Sequence, residues 1–345
     1  LYLWHWPLLS FARIMETGEP SPIIRSAAVA LSLLLAWLSY RLVEIPLRYH
    51  PGRRVPALLL AALFGLGAWG LLVMKLDGLP QRTADLNPLV SAFYWQELGL
   101  HTRDDCADQF KVPGRCLSDG KLPRVAVVGD SHSTNTFFAL AHHYRDSDTG
   151  VVRLGKGGCP PLYNVRNSDA GNRDRCLAVT NGNLDWVLAN PDIHTVFLSS
   201  MGPMYVNPGQ KRYQMHSTEA PTLADTGAIF AAGLEGSTAR LLAAGKEVVV
   251  VIDWPALGFD PQACVDIRPL RLSSFTPVPC ETTRKQHDQR SAAYRALIQD
   301  FASRQPRVKF WATSNFFCDE QRCRGMLDGT ILYRDRSHLS MQGSH

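Results

Sequence analysis

Ser131, Asp335 and His338 are side chains whose types and neighbours suit acyl chemistry. The serine stands in Arg124-Val-Ala-Val-Val-Gly-Asp-Ser-His132, and the other two share Tyr333-Arg-Asp335-Arg-Ser-His338-Leu-Ser. A serine hydroxyl is a weak nucleophile until an adjacent base takes its proton. A carboxylate three residues ahead of a histidine can accept from one ring nitrogen and leave the other facing outward. A trio of this kind is recognised by geometry and not by order along the chain. Taken singly, Gly-Asp-Ser is an ordinary helix-capping turn and D-x-x-H an ordinary surface pair. Their occurrence at the two ends of one domain makes them a candidate site.

The elements around Ser131 supply the position. A β-branched run ends at Gly129-Asp130-Ser131, and a helical segment follows at once over 133–144. Strand, tight turn and helix together lift a hydroxyl above the carboxyl edge of a sheet. There, helix N-terminal amides can stabilise a developing oxyanion. The stretch is not G-x-S-x-G, because position 133 is serine. Further strands are expected over 151–154, 195–198, 247–252 and 308–311, and helices over 181–188, 227–244 and 290–303. Strands alternating with helices predict a three-layer α/β domain with a mainly parallel sheet over 123–345. Residues 77–122 show little periodicity and are expected to be a linker region.

The first 76 residues are different. Apolar stretches over 23–43 and 55–74 approach the length needed to cross a hydrocarbon layer of about 30 Å. Leu1-Tyr-Leu-Trp-His-Trp-Pro-Leu-Leu9 has no charged n-region ahead of it and is expected to be the tail of a helix from a longer chain. Between the two long stretches, Arg48-Tyr-His-Pro-Gly-Arg-Arg54 carries three arginines, which places 46–55 in the cytoplasm and residues 15–22, and all beyond about 77, outside. The eight cysteines, at 106, 116, 159, 176, 264, 280, 318 and 323, all lie in that outer portion. An even count there predicts disulfides in an oxidising compartment, and the local spacings favour pairing in sequential order. Zinc is disfavoured, since no second close pair completes a site with Cys318 and Cys323.

Two loops hold further candidates. Arg153-Leu-Gly-Lys-Gly-Gly-Cys-Pro-Pro161 brings glycine amides, from Gly157 or Gly158, toward the serine; it reads equally as an oxyanion loop and as a disulfide-anchored turn. Its lysine belongs to no phosphate-loop pattern. Asp253-Trp-Pro255 ends the fourth strand, either as a structural turn or as the lining of an acceptor groove. A net charge of +5 in 345 residues, with no basic stripe interleaved with aromatics, does not point to nucleic acid.

The Gly-Asp-Ser and D-x-x-H blocks resemble the SGNH hydrolase superfamily. Together with Tyr2-Leu-Trp-His-Trp-Pro7, Tyr40-Arg-Leu-Val-Glu-Ile-Pro-Leu-Arg48, Gly158-Cys-Pro-Pro161 and Phe317-Cys-Asp319, the chain resembles bacterial acyltransferase-3 membrane proteins fused to a periplasmic SGNH domain. The resemblance implies that 1–76 are the last membrane helices of the acyltransferase-3 part, with the others upstream. It implies an inner-membrane, multi-pass protein with its SGNH domain in the periplasm, binding no cofactor of its own and using acetyl-CoA as ultimate donor. The acceptor would be a hydroxyl of a surface polysaccharide or lipid-linked glycan, such as lipopolysaccharide O-antigen or lipooligosaccharide. By position, Ser131 is then the nucleophile, His338 the base and Asp335 its orienter. The superfamily's asparagine after the third parallel strand is missing, because Leu198-Ser-Ser-Met-Gly-Pro203 stands there. That leaves the Ser131 amide, a Gly157 or Gly158 amide, and Ser199 or Ser200 as oxyanion donors. A periplasmic esterase with the same triad is the rival, and a membrane-anchored, non-catalytic glycan-binding module is the second.

Overall fold

A computed structural model describes residues 1–16, 19–49, 52, 55–76, 106–167, 173–207, 215–265, 272–274 and 276–345. Most of the loop over 48–54 and of the linker expected over 77–122 lies outside them. The chain forms two compact units, Leu1–Val90 with Gln262–Pro279, and Ser91–Pro261 with Cys280–His345.

The first unit contains α1 (Tyr2–Glu16), α2 (Pro22–Tyr49) and α3 (Val55–Lys75). Pro22 starts α2 where its missing N–H is no loss. The Ser21 hydroxyl accepts from the Ile24 amide, capping the helix. A π-helical turn over Tyr40–Glu44 interrupts α2. The indole of Trp4 donates to Ser39 Oγ at 2.9 Å, tying α1 to α2. Along α3 no residue is buried, although Leu63, Phe64, Leu66 and Trp69 all lie on it and are exposed. A helix apolar on every side and left uncovered by the described residues is suited to lipid. By length and composition, α2 and α3 can each cross a membrane.

The second unit is built on a six-stranded sheet: β1 (Arg115–Ser118), β2 (Pro123–Gly129), β3 (Gly150–Gly155), β4 (Thr195–Ser199), β5 (Glu247–Ile252) and β6 (Lys309–Ala312), in the order β1-β3-β2-β4-β5-β6. All pairs are parallel except β1 with β3. Four helices matter here: α4 (Ser133–His143), α5 (Arg173–Ala189), α6 (Thr226–Ala243) and α7 (Arg284–Arg304). Strand alternation divides the core. Ala126, Val128, Val152, Val196 and Val248 pack with residues of α5, α6 and α7, whereas Val125, Val127 and Val151 pack with Phe137, Phe138 and Leu140 of α4. The expected three-layer α/β architecture is therefore the one observed.

Sequence and structure differ at the ends of elements. The start of α7 is polar and carries no apolar period, its inward residues being His287 and Ser291. It is set instead by a capping box in which Thr283 and Gln286 exchange hydrogen bonds. Likewise, α5 begins well ahead of residue 181. The stretch from Cys106 onward, expected as linker, holds a short helix and the edge strand β1, tied by the Cys106–Cys116 disulfide. Cys159 pairs with Cys176 and Cys318 with Cys323. Cys264 and Cys280 are also disulfide-bonded, so the chain has no free thiol.

Two glycines let the carboxyl ends of the central strands close up. A Cβ on Gly129 would stand 1.7 Å from the Ser199 carbonyl oxygen, and one on Gly155 (φ +149°) 1.8 Å from that of Gly129. Strand order reverses at β2, whose neighbours are β3 on one side and β4 on the other. That switch point is where ligands sit in open α/β sheets.

Candidate active site

Ser131 follows β2 directly, and the turn that carries it is fixed from below by Asp130. This buried carboxylate accepts from the His132 amide at 2.9 Å, the Met201 amide at 3.1 Å and the Tyr205 hydroxyl at 2.7 Å. Arg153, buried on β3, donates to the Asp130 carbonyl at 2.9 Å and to Ser133 Oγ at 2.8 Å. The turn is thus held from both neighbouring strands before any substrate arrives.

Asp335 and His338 come from a loop after the last strands and meet Ser131 across 207 residues of chain. His338 Nδ1 lies 2.8 Å from Asp335 Oδ2, and Nε2 lies 2.9 Å from Ser131 Oγ. Asp335 Oδ1 also accepts the amides of Ser337 and His338, at 2.9 and 2.8 Å. Burial opposes the charged carboxylate, but the His338 hydrogen bond and charge and the two amides outweigh it. They hold the Asp335 carboxyl well below the usual range. An ionised carboxylate only accepts, so Nδ1 carries the ring proton and bare Nε2 faces the serine hydroxyl. Arranged like this, the imidazole can take the Ser131 proton and return it.

A second imidazole–carboxylate pair lies behind the first, and sequence reasoning did not find it. His132 Nδ1 is 2.8 Å from Asp253 Oδ1, with both side chains buried. The His132 ring stacks on Trp254 with centroids 4.7 Å apart and tilts against His338 at 4.8 Å. Its Nε2 is buried with no hydrogen-bond partner among the described residues. Burial pushes Asp253 up. Burial alone would depress His132, but the Asp253 carboxylate holds it above its ordinary value. His132 was visible beside Ser131 from the start; nothing in its spacing pointed to Asp253.

The oxyanion candidates separate. Among the described residues, the amides of Ser131, Gly157 and Gly158 make no hydrogen bond. Gly158 has φ +76° and its carbonyl accepts from Asn167 at 2.7 Å, beside the Cys159–Cys176 disulfide. The turn is disulfide-anchored and still offers free amides. Ser199 is buried and bonded to Thr136 at 2.8 Å, which leaves it turned into the core. Asn207 donates to the Arg290 carbonyl at 3.0 Å. Among the described residues, no three His, Cys, Asp or Glu side chains gather to hold a metal ion.

Residues 100–345 match the family model described as "SGNH domain (fused to AT3 domains)". No curated protein sequence matches significantly. Among solved structures, the chain is similar to the periplasmic domain of the lipopolysaccharide acetyltransferase of Salmonella ser. Paratyphi A. The identity is 13%, covering 72% of this chain and 94% of that one, with a TM-score of 0.46. It is also similar to a putative acylhydrolase from Bacteroides fragilis (12% identity, 72% and 91% covered, TM-score 0.36). A third similar structure is the acetyl xylan esterase AlAXEase (14% identity, 64% and 93% covered, TM-score 0.36).

Proposed function

The chain belongs to the family of SGNH domains fused to AT3 domains, and on that premise we propose that it is an O-acetyltransferase acting on a bacterial surface glycan. The observation that carries the reading is the hydroxyl–imidazole–carboxylate series, 2.9 Å from Ser131 to His338 and 2.8 Å from His338 to Asp335. His338 Nε2 takes the Ser131 proton as Oγ attacks the acetyl carbonyl. The oxyanion forms against the free Ser131 amide and an amide of Gly157 or Gly158. The leaving group departs with the proton held by His338, and acetyl-Ser131 remains. An acceptor hydroxyl then gives its proton to His338 and attacks the ester, and Ser131 leaves reprotonated.

The two membrane-length helices α2 and α3 support an inner-membrane location, with the acetyl group drawn ultimately from cytoplasmic acetyl-CoA. The disulfides support a periplasmic place for the sheet unit. An esterase remains the second reading, because the same series activates water equally well. Mass spectrometry of the surface polysaccharide separates the two. Loss of the protein lowers the acetyl content if it is a transferase and raises it if it is an esterase. Ser131→Ala is expected to abolish acetylation while the protein still accumulates. Normal acetylation in that variant removes the proposal.

A further inference from the structure

Beside the Ser131 site, the carboxyl ends of β4, β5 and β6 and one flank of α7 enclose a cavity of about 300 Å³. Asp253 and Trp254 line it, and two rings connect it to the triad: Trp254 stacks on His132, and His132 touches His338. Its polar wall comes from α7, where His287, Arg290 and Arg295 all line the cavity. Met201, Met204 and Ile252 also line it and supply apolar surface of the kind that takes the C–H face of a sugar ring.

The polar wall is under-used by the protein itself. His287 is 6% exposed, yet neither ring nitrogen has a hydrogen-bond partner among the described residues. Among the described residues, Arg290 spends only Nη1, in long bonds of 3.4 and 3.3 Å to the carbonyls of Ala256 and Leu257. Among the described residues, Arg295 bonds only to Asp288, a carboxylate that Arg284 also engages. Among the described residues, two guanidinium groups thus share one carboxylate on this flank, Arg290 meets only backbone carbonyls, and the Asp253 carboxylate is taken by His132. Burial first, and then the charges of Arg295, Arg284 and Arg290 against that of Asp288, push His287 below its ordinary value. A neutral imidazole offers one donor and one acceptor, which suits a sugar hydroxyl. Free guanidinium N–H groups suit a carboxylate or a phosphate.

We propose that this cavity is an acceptor subsite for an anionic sugar residue, a uronate or a phosphosugar, next to the residue that is acetylated. The proposal deepens the acyl-transfer reading and rests on it. The test uses the whole chain in detergent carrying Ser131→Ala, which binds acceptor without turning over. Binding of glucuronate, glucose 6-phosphate and glucose is followed by saturation-transfer NMR and calorimetry. At least one anionic sugar is expected to bind tenfold or more tightly than glucose, and the two arms tell carboxylate from phosphate. Arg290→Gln with Arg295→Gln is expected to remove that preference. If Arg290, which braces two carbonyls, proves necessary for folding by near-UV circular dichroism, Arg295→Gln alone and His287→Gln serve in its place, each weakening the anionic sugar severalfold. Anionic sugars that bind no better than glucose, or bind the arginine variants equally well, overturn the subsite. Persistent glycan acetylation in Ser131→Ala cells instead overturns the transfer reading, so the two failures are told apart.

Discussion

Replacing Asp335 by asparagine exchanges one oxygen for an NH2 group and tests the tautomer argument directly. Both loop amides bond to Oδ1, at 2.9 and 2.8 Å. Asparagine satisfies them only with its carbonyl oxygen there, which turns its NH2 to the place of Oδ2. That place is 2.8 Å from His338 Nδ1, so an N–H now faces the nitrogen. The longer approach of Nδ1 to Oδ1, 3.0 Å, gives no rescue, because Oδ1 already accepts two amides. The histidine avoids the clash by moving its proton to Nε2, where it points at Ser131 Oγ. The serine then has no base. Flipping the amide instead sets NH2 against two backbone N–H groups and forfeits two hydrogen bonds, about 1 kcal/mol each before the clash is counted. A wrong tautomer in such a triad lowers turnover by about 10⁴, or roughly 5.5 kcal/mol in the barrier. Asp335→Ala leaves Nδ1 able to donate to water, so it is expected to be no slower than Asp335→Asn. Hydrolysis of 4-nitrophenyl acetate by the detergent-solubilised chain measures both. An asparagine variant within tenfold of the parent, or an alanine variant far slower than the asparagine one, refutes the reasoning.

Three other expectations follow from particular contacts. The Asp335 carboxyl is depressed in the folded chain, so its contribution to stability is fully present above the unfolded value of about 3.9 and is lost as pH falls toward the lower folded value. The gap in melting temperature between the parent and Asp335→Asn should hold steady at neutral pH and narrow below about pH 4; a gap that widens on acidification contradicts this. Gly129→Ala sets a methyl group against the Ser199 carbonyl and is expected to destabilise by about 3 kcal/mol or more, a fall of roughly 6–12 °C in melting temperature. An unchanged melt means that the strands part more easily than the packing implies. Opening the Cys159–Cys176 loop by a double alanine substitution, across a separation of 17 residues, should cost about 3 kcal/mol. It should also slow turnover, because the bridge anchors the Gly157–Gly158 amides; full activity would exclude those amides as oxyanion donors.

Core strands and the helices' inward faces were readable because burial imposes a period. In β2, residues 125 to 128 are apolar and buried on both faces of the sheet. The edge strand β1 was not readable. It is four residues long, and what makes it a strand is pairing with β3, which leaves no local pattern; the Cys106–Cys116 spacing marks a bridge but not a strand. The polar start of α7 did leave a signal, Thr283-x-x-Gln286, that a search for apolar periodicity passes over. The Ser131, His338 and Asp335 series was legible because D-x-x-H keeps two members within one turn of chain. Asp130, Arg153 and Tyr205 were not, since each acts through a partner brought close only by strand order; Asp253 stood out at the end of its strand, but its partner His132 did not.

That difference in legibility has a structural cause in how the histidine loop is held. Residues 333–339 have little core of their own and are bound to the segment after β5. Trp254 Nε1 donates to the Ser337 carbonyl at 2.7 Å, the Tyr333 hydroxyl to the Pro255 carbonyl at 2.5 Å, and the Leu257 amide to the Arg336 carbonyl at 3.0 Å. Trp254 also closes one face of His132, whose ring in turn backs His338. Ser131 and His132, adjacent in sequence, therefore divide the work. The first presents its hydroxyl to His338, and the second, fixed by Asp253, forms a wall against the same imidazole. With its plane set by that wall and its proton by Asp335, His338 has little freedom to leave the line between carboxylate and hydroxyl. Such preorganisation is what proton transfer at this site requires. It depends on the Asp253-Trp254 pair that follows β5 as much as on the D-x-x-H block itself.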